Sequence, residues 1–142
     1  MLLKTDHKDI EALFADYEGL GKKGRGRKKI VLKMIDLLSI HTAIEEQIFY
    51  PAVRAAVKRA DEIVLRQSEE HHLAAYTISE LMQLHEDHPR FHAKVQVLMD
   101  NARIHIEAEE EDLFPLVRAG IDREVLNDLG ARMEKAKKLV RR

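Results

Sequence analysis

The hydrophobic residues of the chain recur with the spacing of α-helices, and no segment alternates between apolar and polar residues as a half-buried strand would. The first predicted helix has Thr5 or Asp6 as its N-cap and ends in a glycine-rich segment, residues 19–26. A second, longer helix is predicted over about residues 27–57. The chain therefore begins with a predicted helical hairpin.

A third helix is predicted to start at an Asp61 cap and to end at a polar turn that contains Asp87 and Pro89. These two residues are placed as the N-cap and an early residue of a fourth helix, which stops near Gly120, a natural C-cap. A last amphipathic helix is predicted over about residues 122–140.

Four long helices joined by short turns predict an all-α, up-down-up-down four-helix bundle with an extra C-terminal helix. The length of 142 residues fits one domain with a proper core. We therefore expect a single domain over residues 1–142, in which the bundle occupies about residues 5–120.

The sequence repeats at a shift of 64 residues, so that the second predicted hairpin echoes the first. Histidines and carboxylates are prominent among the matches. The matched pairs are Asp6/Glu70, His7/His71, His41/His105, Glu45/Glu109, Glu46/Glu110, Pro51/Pro115, Val53/Val117 and Arg54/Arg118. A duplicated hairpin predicts a pseudo-twofold bundle in which equivalent side chains converge on the axis.

Composition and charge exclude several classes of protein. Because 24 Lys and Arg stand against 25 Asp and Glu, a globally basic nucleic-acid-binding protein is not expected. There is no cysteine, so any metal must be bound by nitrogen and oxygen. No apolar signal segment or membrane span of roughly 20 residues is found. We expect a cytoplasmic protein, a monomer or weak homodimer, without nucleic-acid or membrane partners.

Histidine precedes glutamate by four residues in both the second and the fourth predicted helix. Residues at this spacing lie on one helix face about 6 Å apart, so an imidazole and a carboxylate can reach the same or adjacent metal ions. A single pair of this kind is usually a surface salt link. Here a further histidine precedes each pair by the same 34 residues. This register predicts a metal site formed by His7, His41, Glu45, His71, His105 and Glu109.

The register resembles that of the hemerythrin-like (HHE cation-binding) domain family. The carboxylate-rich segments 45–51 and 109–115, each ending in an aromatic residue and a proline, are similar to the family's as well. The resemblance covers roughly residues 5–120 and implies a non-haem di-iron site. Nitrogen and oxygen donors independently suit iron or manganese.

The resemblance also implies which residues bind each ion. One iron would be bound by His7 and His41, and the second by His71 and His105. The two carboxylates, Glu45 and Glu109, would bridge the ions, together with an oxo or hydroxo group. Manganese or zinc are the expected substitutes for iron.

The sequence departs from the dioxygen-carrying members of the family at one position. Those proteins have a further histidine four residues after the third-helix ligand, where this chain has Ala75. A coordination position is therefore expected to be open, which favours reaction with a small diatomic or peroxide over reversible carriage. His72 is an alternative to His71 as a ligand, although the repeat favours His71.

These observations lead to one functional hypothesis and two alternatives. The first is a di-iron oxidoreductase or sensor that reacts with O₂, peroxide or nitric oxide, in the manner of a catalase or peroxidase. The second is a non-catalytic iron- or O₂-binding protein. The third is a metal-free helical adaptor that pairs with a partner through its last helix.

Other polar residues are given structural roles. Glu46 and Glu110 are expected behind the ligands or at the surface, and the tyrosines (Tyr17, Tyr50, Tyr76) in the core with exposed hydroxyl groups. A solvated turn is expected for His85, His88 and His92. The basic run at residues 22–29 is interpreted as a solubilising linker and helix start, and the run at 135–142 as a charged helix face.

Overall fold

The computed structural model describes residues 2–21 and 24–140, and within these residues all regular secondary structure is helical. The helices in chain order are α1 (Leu2–Leu20), α2 (Arg27–Ile44), α3 (Tyr50–Ala56), α4 (Asp61–Gln83), α5 (Phe91–Ala108), α6 (Phe114–Gly120) and α7 (Arg123–Val140). A 3₁₀ turn, Lys58–Ala60, precedes α4. Two π-helical turns, Glu45–Phe49 and Glu109–Leu113, join α2 to α3 and α5 to α6. Each joined pair therefore runs as one long helix.

The predicted all-α bundle with an extra C-terminal helix is confirmed. Helix α1 packs against α2, and α4 packs against α5, while α7 packs on α1, α2 and the first π turn. The repeat is also visible in the structure, because every boundary from α5 to α6 lies 64 residues after the corresponding boundary from α2 to α3.

The core divides into two apolar clusters along the bundle axis. One cluster includes Leu3 and Ile44 together with the buried apolar residues of α7, Leu129 and Met133. The other includes Ile10 and Leu38. Position 7 in α1 and position 41 in α2 each lie between a residue of the first cluster and a residue of the second. The predicted site therefore lies between two apolar clusters.

Three predicted helix caps are wrong. Helix α1 begins at Leu2, so Thr5 and Asp6 lie inside it, and Asp6 is buried. Asp61 is the first residue of α4 and not its cap, and its carboxylate pairs with Arg54 Nε at 2.8 Å.

Helix α5 begins at Phe91, so Asp87 and Pro89 lie in the preceding turn instead of in the helix. Phe91 is fully buried and its N–H donates to the carbonyl of His88, which fixes the start of the helix at this residue.

The basic run at residues 22–29 includes the start of α2, and that part of it is not fully solvated. The Arg27 side chain is buried and donates to the carbonyls of Gly24 and Glu86, and Lys28 Nζ donates to three carbonyls at the end of α4, including that of Leu81 at 3.0 Å. These contacts tie the start of α2 to the α4–α5 turn. Lys22 and Lys23 lie outside the described residues, as do Arg141 and Arg142 of the terminal basic run.

Over the described part of the chain, every helix is too short or too polar to cross a lipid bilayer.

Candidate metal centre

The structure brings the six predicted residues together between the two core clusters. The histidines come from α1, α2, α4 and α5, and the glutamates are the first residues of the two π turns. All six are buried, and both glutamates are fully inaccessible to solvent. The residues are His7, His41, Glu45, His71, His105 and Glu109. Their role as metal ligands stays a prediction.

One group of donor atoms combines the first helical hairpin with Glu109. His7, His41, Glu45 and Glu109 each offer one atom, and these atoms lie within 4.8 Å of one another. His7 Nε2 lies 3.1 Å from Glu109 Oε1, and His41 Nε2 lies 3.4 Å from Glu45 Oε1. The group therefore offers two imidazole nitrogens and two carboxylate oxygens.

A second group of donor atoms consists of Glu45, His71 and His105. Glu45 Oε1 lies 3.3 Å from His71 Nε2 and 3.6 Å from His105 Nε2, and the two Nε2 atoms are 3.1 Å apart. Glu109 Oε1 is also 3.6 Å from His105 Nε2. Both carboxylates thus touch imidazoles of both hairpins, which is the arrangement that bridging of two ions requires.

The π turns place the residues that follow each glutamate. The N–H of Tyr50 donates to the carbonyl of Glu45, and the N–H of Phe114 donates to that of Glu109, so each turn holds one residue more than an α-helix allows. The wider turn lets two successive residues, Phe49 and Tyr50, both be buried. Turns of this kind are rare and often occur at functional sites.

The outer nitrogens of the first two histidines are held by carboxylates. His7 Nδ1 lies 2.6 Å from Glu110 Oε2, and His41 Nδ1 lies 3.0 Å from Asp6 Oδ2. An Nδ1–H that donates to a carboxylate leaves Nε2 as the free base, turned toward the centre.

The second hairpin repeats this arrangement. His71 Nδ1 lies 2.7 Å from Glu46 Oε1, and His105 Nδ1 lies 3.4 Å from Glu70 Oε2. All four imidazoles are therefore oriented in the same way, with Nδ1 outward on a carboxylate and Nε2 inward. Glu46 and Glu110 lie directly behind the predicted ligands, one of the two positions expected for them.

The centre contains buried polar atoms without a hydrogen-bond partner. Both carboxylate oxygens of Glu45 and Nε2 of His41 make no hydrogen bond within the described part of the protein. Burial by itself lowers the pKa of His41, but the carboxylates of Glu45, Asp6 and Glu109 raise it to about 10. Positive charge is thus what this cluster requires, and a cation bound to these atoms would supply it.

Tyr50 distinguishes the two halves of the centre. Its buried hydroxyl donates to Glu109 Oε2 at 2.7 Å, and its ring stacks on His71. The equivalent residue of the second half is Phe114, which stacks on His7 but has no hydroxyl to offer Glu45. The expectation of an exposed Tyr50 hydroxyl is wrong.

The last helix reaches the centre through Lys137. Its ammonium is buried and donates to Asp6, the residue that holds His41. Burial alone raises the pKa of Asp6, but hydrogen bonds from His41 and Lys137 outweigh it and keep that pKa below its usual value. The interpretation of Lys137 as part of a solvated helix face is therefore wrong.

The remaining candidates lie away from the centre or at its edge. His72 is exposed and contacts Glu69, so the structure places His71, and not His72, in the cluster. Ala75 lines a cavity that also has His71 and His105 in its wall.

The three histidines predicted to form a solvated turn do not behave alike, because His92 lies inside α5. His85 is exposed beside Asp87, as a solvated turn predicts. His92 instead forms a 2.8 Å hydrogen bond through Nδ1 with the buried Tyr17, so the solvated-turn prediction is wrong for it. The third tyrosine, Tyr76, is exposed, so the expectation of a core ring with an exposed hydroxyl is wrong for Tyr76 and also for the buried Tyr17.

Comparisons with known proteins agree with this architecture. The family model of the hemerythrin HHE cation-binding domain matches residues 2–117. Among solved structures, the chain is similar to a hemerythrin HHE cation-binding domain-containing protein from Mycobacterium kansasii, with a TM-score of 0.76 and 23% identity. This similarity covers 96% of this chain and 85% of that one, and at this identity it supports the fold alone. No curated protein matches the sequence.

Proposed function

The chain belongs to the hemerythrin HHE cation-binding domain family, and on this premise we propose that it is a non-haem di-iron protein that reacts with peroxide, O₂ or nitric oxide. Peroxide reduction, as in a catalase or peroxidase, is the favoured reaction. The ligands proposed are the six residues of the centre, with His7 and His41 on one ion, His71 and His105 on the other, and Glu45 and Glu109 between them.

The observation that carries the proposal is the common orientation of the four imidazoles. A histidine that only packs in a core has no need of a carboxylate on Nδ1 while its Nε2 faces another carboxylate. Here all four are held in this way, as at His–carboxylate metal sites. The unpartnered oxygens of Glu45 add the acceptor atoms that a cation would occupy.

The donor set also favours the metal proposed. Imidazole and carboxylate donors without thiolate suit iron or manganese, and the chain has no cysteine. When two ferrous ions are bound, they can supply the two electrons that reduction of a peroxide O–O bond requires.

The protein's own residues set where a small ligand can bind. The second group of donor atoms has three residues against four in the first, and it lies beside the cavity lined by Ala75. Because residue 75 is alanine, no imidazole from this position blocks the cavity side of the second group. Tyr50 is not among the residues that line the cavity, and its hydroxyl holds one oxygen of Glu109.

Iron content and reactivity test the proposal. Protein expressed in iron-replete medium should hold about two iron ions per chain, and H71A should lose iron while the neighbouring surface variant H72A keeps it. Anaerobic addition of hydrogen peroxide to the reduced protein should consume peroxide and produce near-UV ferric absorption.

Three results would decide against the proposal in different ways. Iron content near zero would favour a metal-free helical protein. Bound iron with a spectrum that reverses on deoxygenation, and peroxide that persists, would indicate non-catalytic binding of iron or O₂. Equal loss of iron in H71A and H72A would show that the ligands have been placed wrongly.

A further inference from the structure

A cavity of about 450 Å³ lies between α2, α4 and α5, with the imidazoles of His41, His71 and His105 in its wall. Small-molecule sites commonly measure about 300–1,000 Å³. Hydrogen peroxide and O₂ have two heavy atoms each, and a water molecule takes up about 30 Å³ in the liquid. The cavity is therefore far larger than the diatomic and peroxide ligands of the proposed function require.

The sequence repeat shows how the second hairpin makes room for the cavity. At three positions where the first hairpin has larger side chains, the second hairpin has alanine. The pairs are Ile10/Ala74, Glu11/Ala75 and Leu38/Ala102. All three alanines line the cavity. Ala74 and Ala102 are partly buried and Ala75 is exposed, so the small side chains form an apolar cleft that reaches from the surface to the imidazoles.

The chemistry of the lining indicates what the cavity can hold. Most of the described residues that line it are aliphatic, none is Lys or Arg, and Glu70 contributes a carboxylate. Leu73 and Ile104 belong to the lining and are 67% and 60% exposed, so they mark its opening to the surface. An aliphatic chain fits these walls, whereas a fatty-acid carboxylate would find an acidic group and no cation.

We propose that the cavity binds the chain of a neutral alkyl hydroperoxide of about six to ten carbons, with its O–O–H end at His71 and His105. This inference rests on the proposed function, whose substrate class it names. Reduction of an alkyl hydroperoxide takes the same two electrons and two protons as reduction of hydrogen peroxide and releases an alcohol and water.

Binding can be measured without turnover. The probe is 1-octanol, which has the shape of the product and no O–O bond, titrated into the purified chain by calorimetry with and without bound iron. We expect saturable binding at one site. The filled variant A74I/A102L, which copies the first hairpin, should bind at least tenfold more weakly, and the variant A12L on the exposed face of α1 should bind like the wild type.

A second variant keeps the test valid if the filled protein does not fold. L73E places a charge at the opening, on a residue that is already exposed, and should also weaken octanol binding at least tenfold. Absence of saturable binding, or equal binding by all variants, would overturn the inference. The inference would also be overturned if the wild type is a dimer that does not bind octanol and L73E converts it to a monomer. A second copy of the chain would then cover the opening.

Single-turnover assays separate this inference from the proposed function. The iron-loaded filled variant should consume octyl hydroperoxide at least tenfold more slowly relative to hydrogen peroxide than the wild type does. If hydrogen peroxide is consumed but octanol does not bind, this inference is wrong and the proposed function stands. If octanol binds but the protein holds no iron or leaves both peroxides intact, the proposed function is overturned. The assignment of an alkyl hydroperoxide as the substrate is then overturned as well.

Discussion

Replacing Lys137 by methionine tests whether the last helix supports the centre. The substitution keeps most of the side-chain length and removes the ammonium that donates to Asp6. Both side chains are buried, and Asp6 in turn holds His41 Nδ1 at 3.0 Å. The variant K137M therefore leaves a buried carboxylate with one partner in place of two.

The expected loss follows from this geometry. Removing one partner of a buried ion pair typically costs about 3–5 kcal/mol, because the other charge stays buried. Asp6 keeps its hydrogen bond with His41, so we expect the lower end of that range, about 3 kcal/mol. For a chain of this length the melting temperature should fall by roughly 5–10 °C.

Urea denaturation of the metal-free protein measures this loss, with K138M on the exposed face of the same helix as the control. The double variant D6N/K137M completes a cycle in which the coupling between the two residues should exceed about 1 kcal/mol. Because Asp6 orients His41, K137M should also weaken metal binding by about tenfold or more. A loss no larger than that of K138M, or additive single effects, would refute the role given to Lys137.

Three further predictions concern other contacts. Y50F leaves Glu109 Oε2 without its buried donor and should cost about 1–3 kcal/mol by urea denaturation; an unchanged stability would contradict this. K28M removes the donor to three carbonyls at the end of α4 and should cost about 1–3 kcal/mol, whereas K29M, at an exposed position, should cost little. The folded pKa of His41 lies above its ordinary value, so the metal-free protein should lose stability as the pH rises from about 6.5 toward 10, and a gain of stability over that interval would contradict the assignment.

The fold and the convergence of the six residues could be predicted because both depend on periodic features of the sequence. Helical spacing of apolar residues and two identical registers, such as 7 to 41 and 71 to 105, survive errors of a few residues in helix boundaries. The predicted caps failed because polarity alone suggested them. Asp6 was expected to cap a helix, yet it is buried inside α1 since two cationic partners from distant parts of the chain satisfy it.

The two π turns also could not be predicted from the pattern of apolar residues in the sequence. A single extra residue in a helix changes neither the composition nor the overall period, so segments 45–49 and 109–113 look like ordinary helix. Their signature is local: a glutamate followed after four and five residues by two buried apolar or aromatic residues. Phe49 and Tyr50 meet this description in the first turn.

What differs between the halves matters as much as what repeats. The repeat places equivalent carboxylates, Asp6 and Glu70, behind His41 and His105. Helix α7 packs on α1, α2 and the first π turn, and its Lys137 donates to Asp6, so Asp6 receives a buried ammonium and Glu70 does not. The first hairpin also buries Ile10 and Leu38 at positions where the second hairpin has alanines. The first half is thus built to hold its ligands rigidly, and the second half is built to leave space beside them, which is where a substrate should reach the centre.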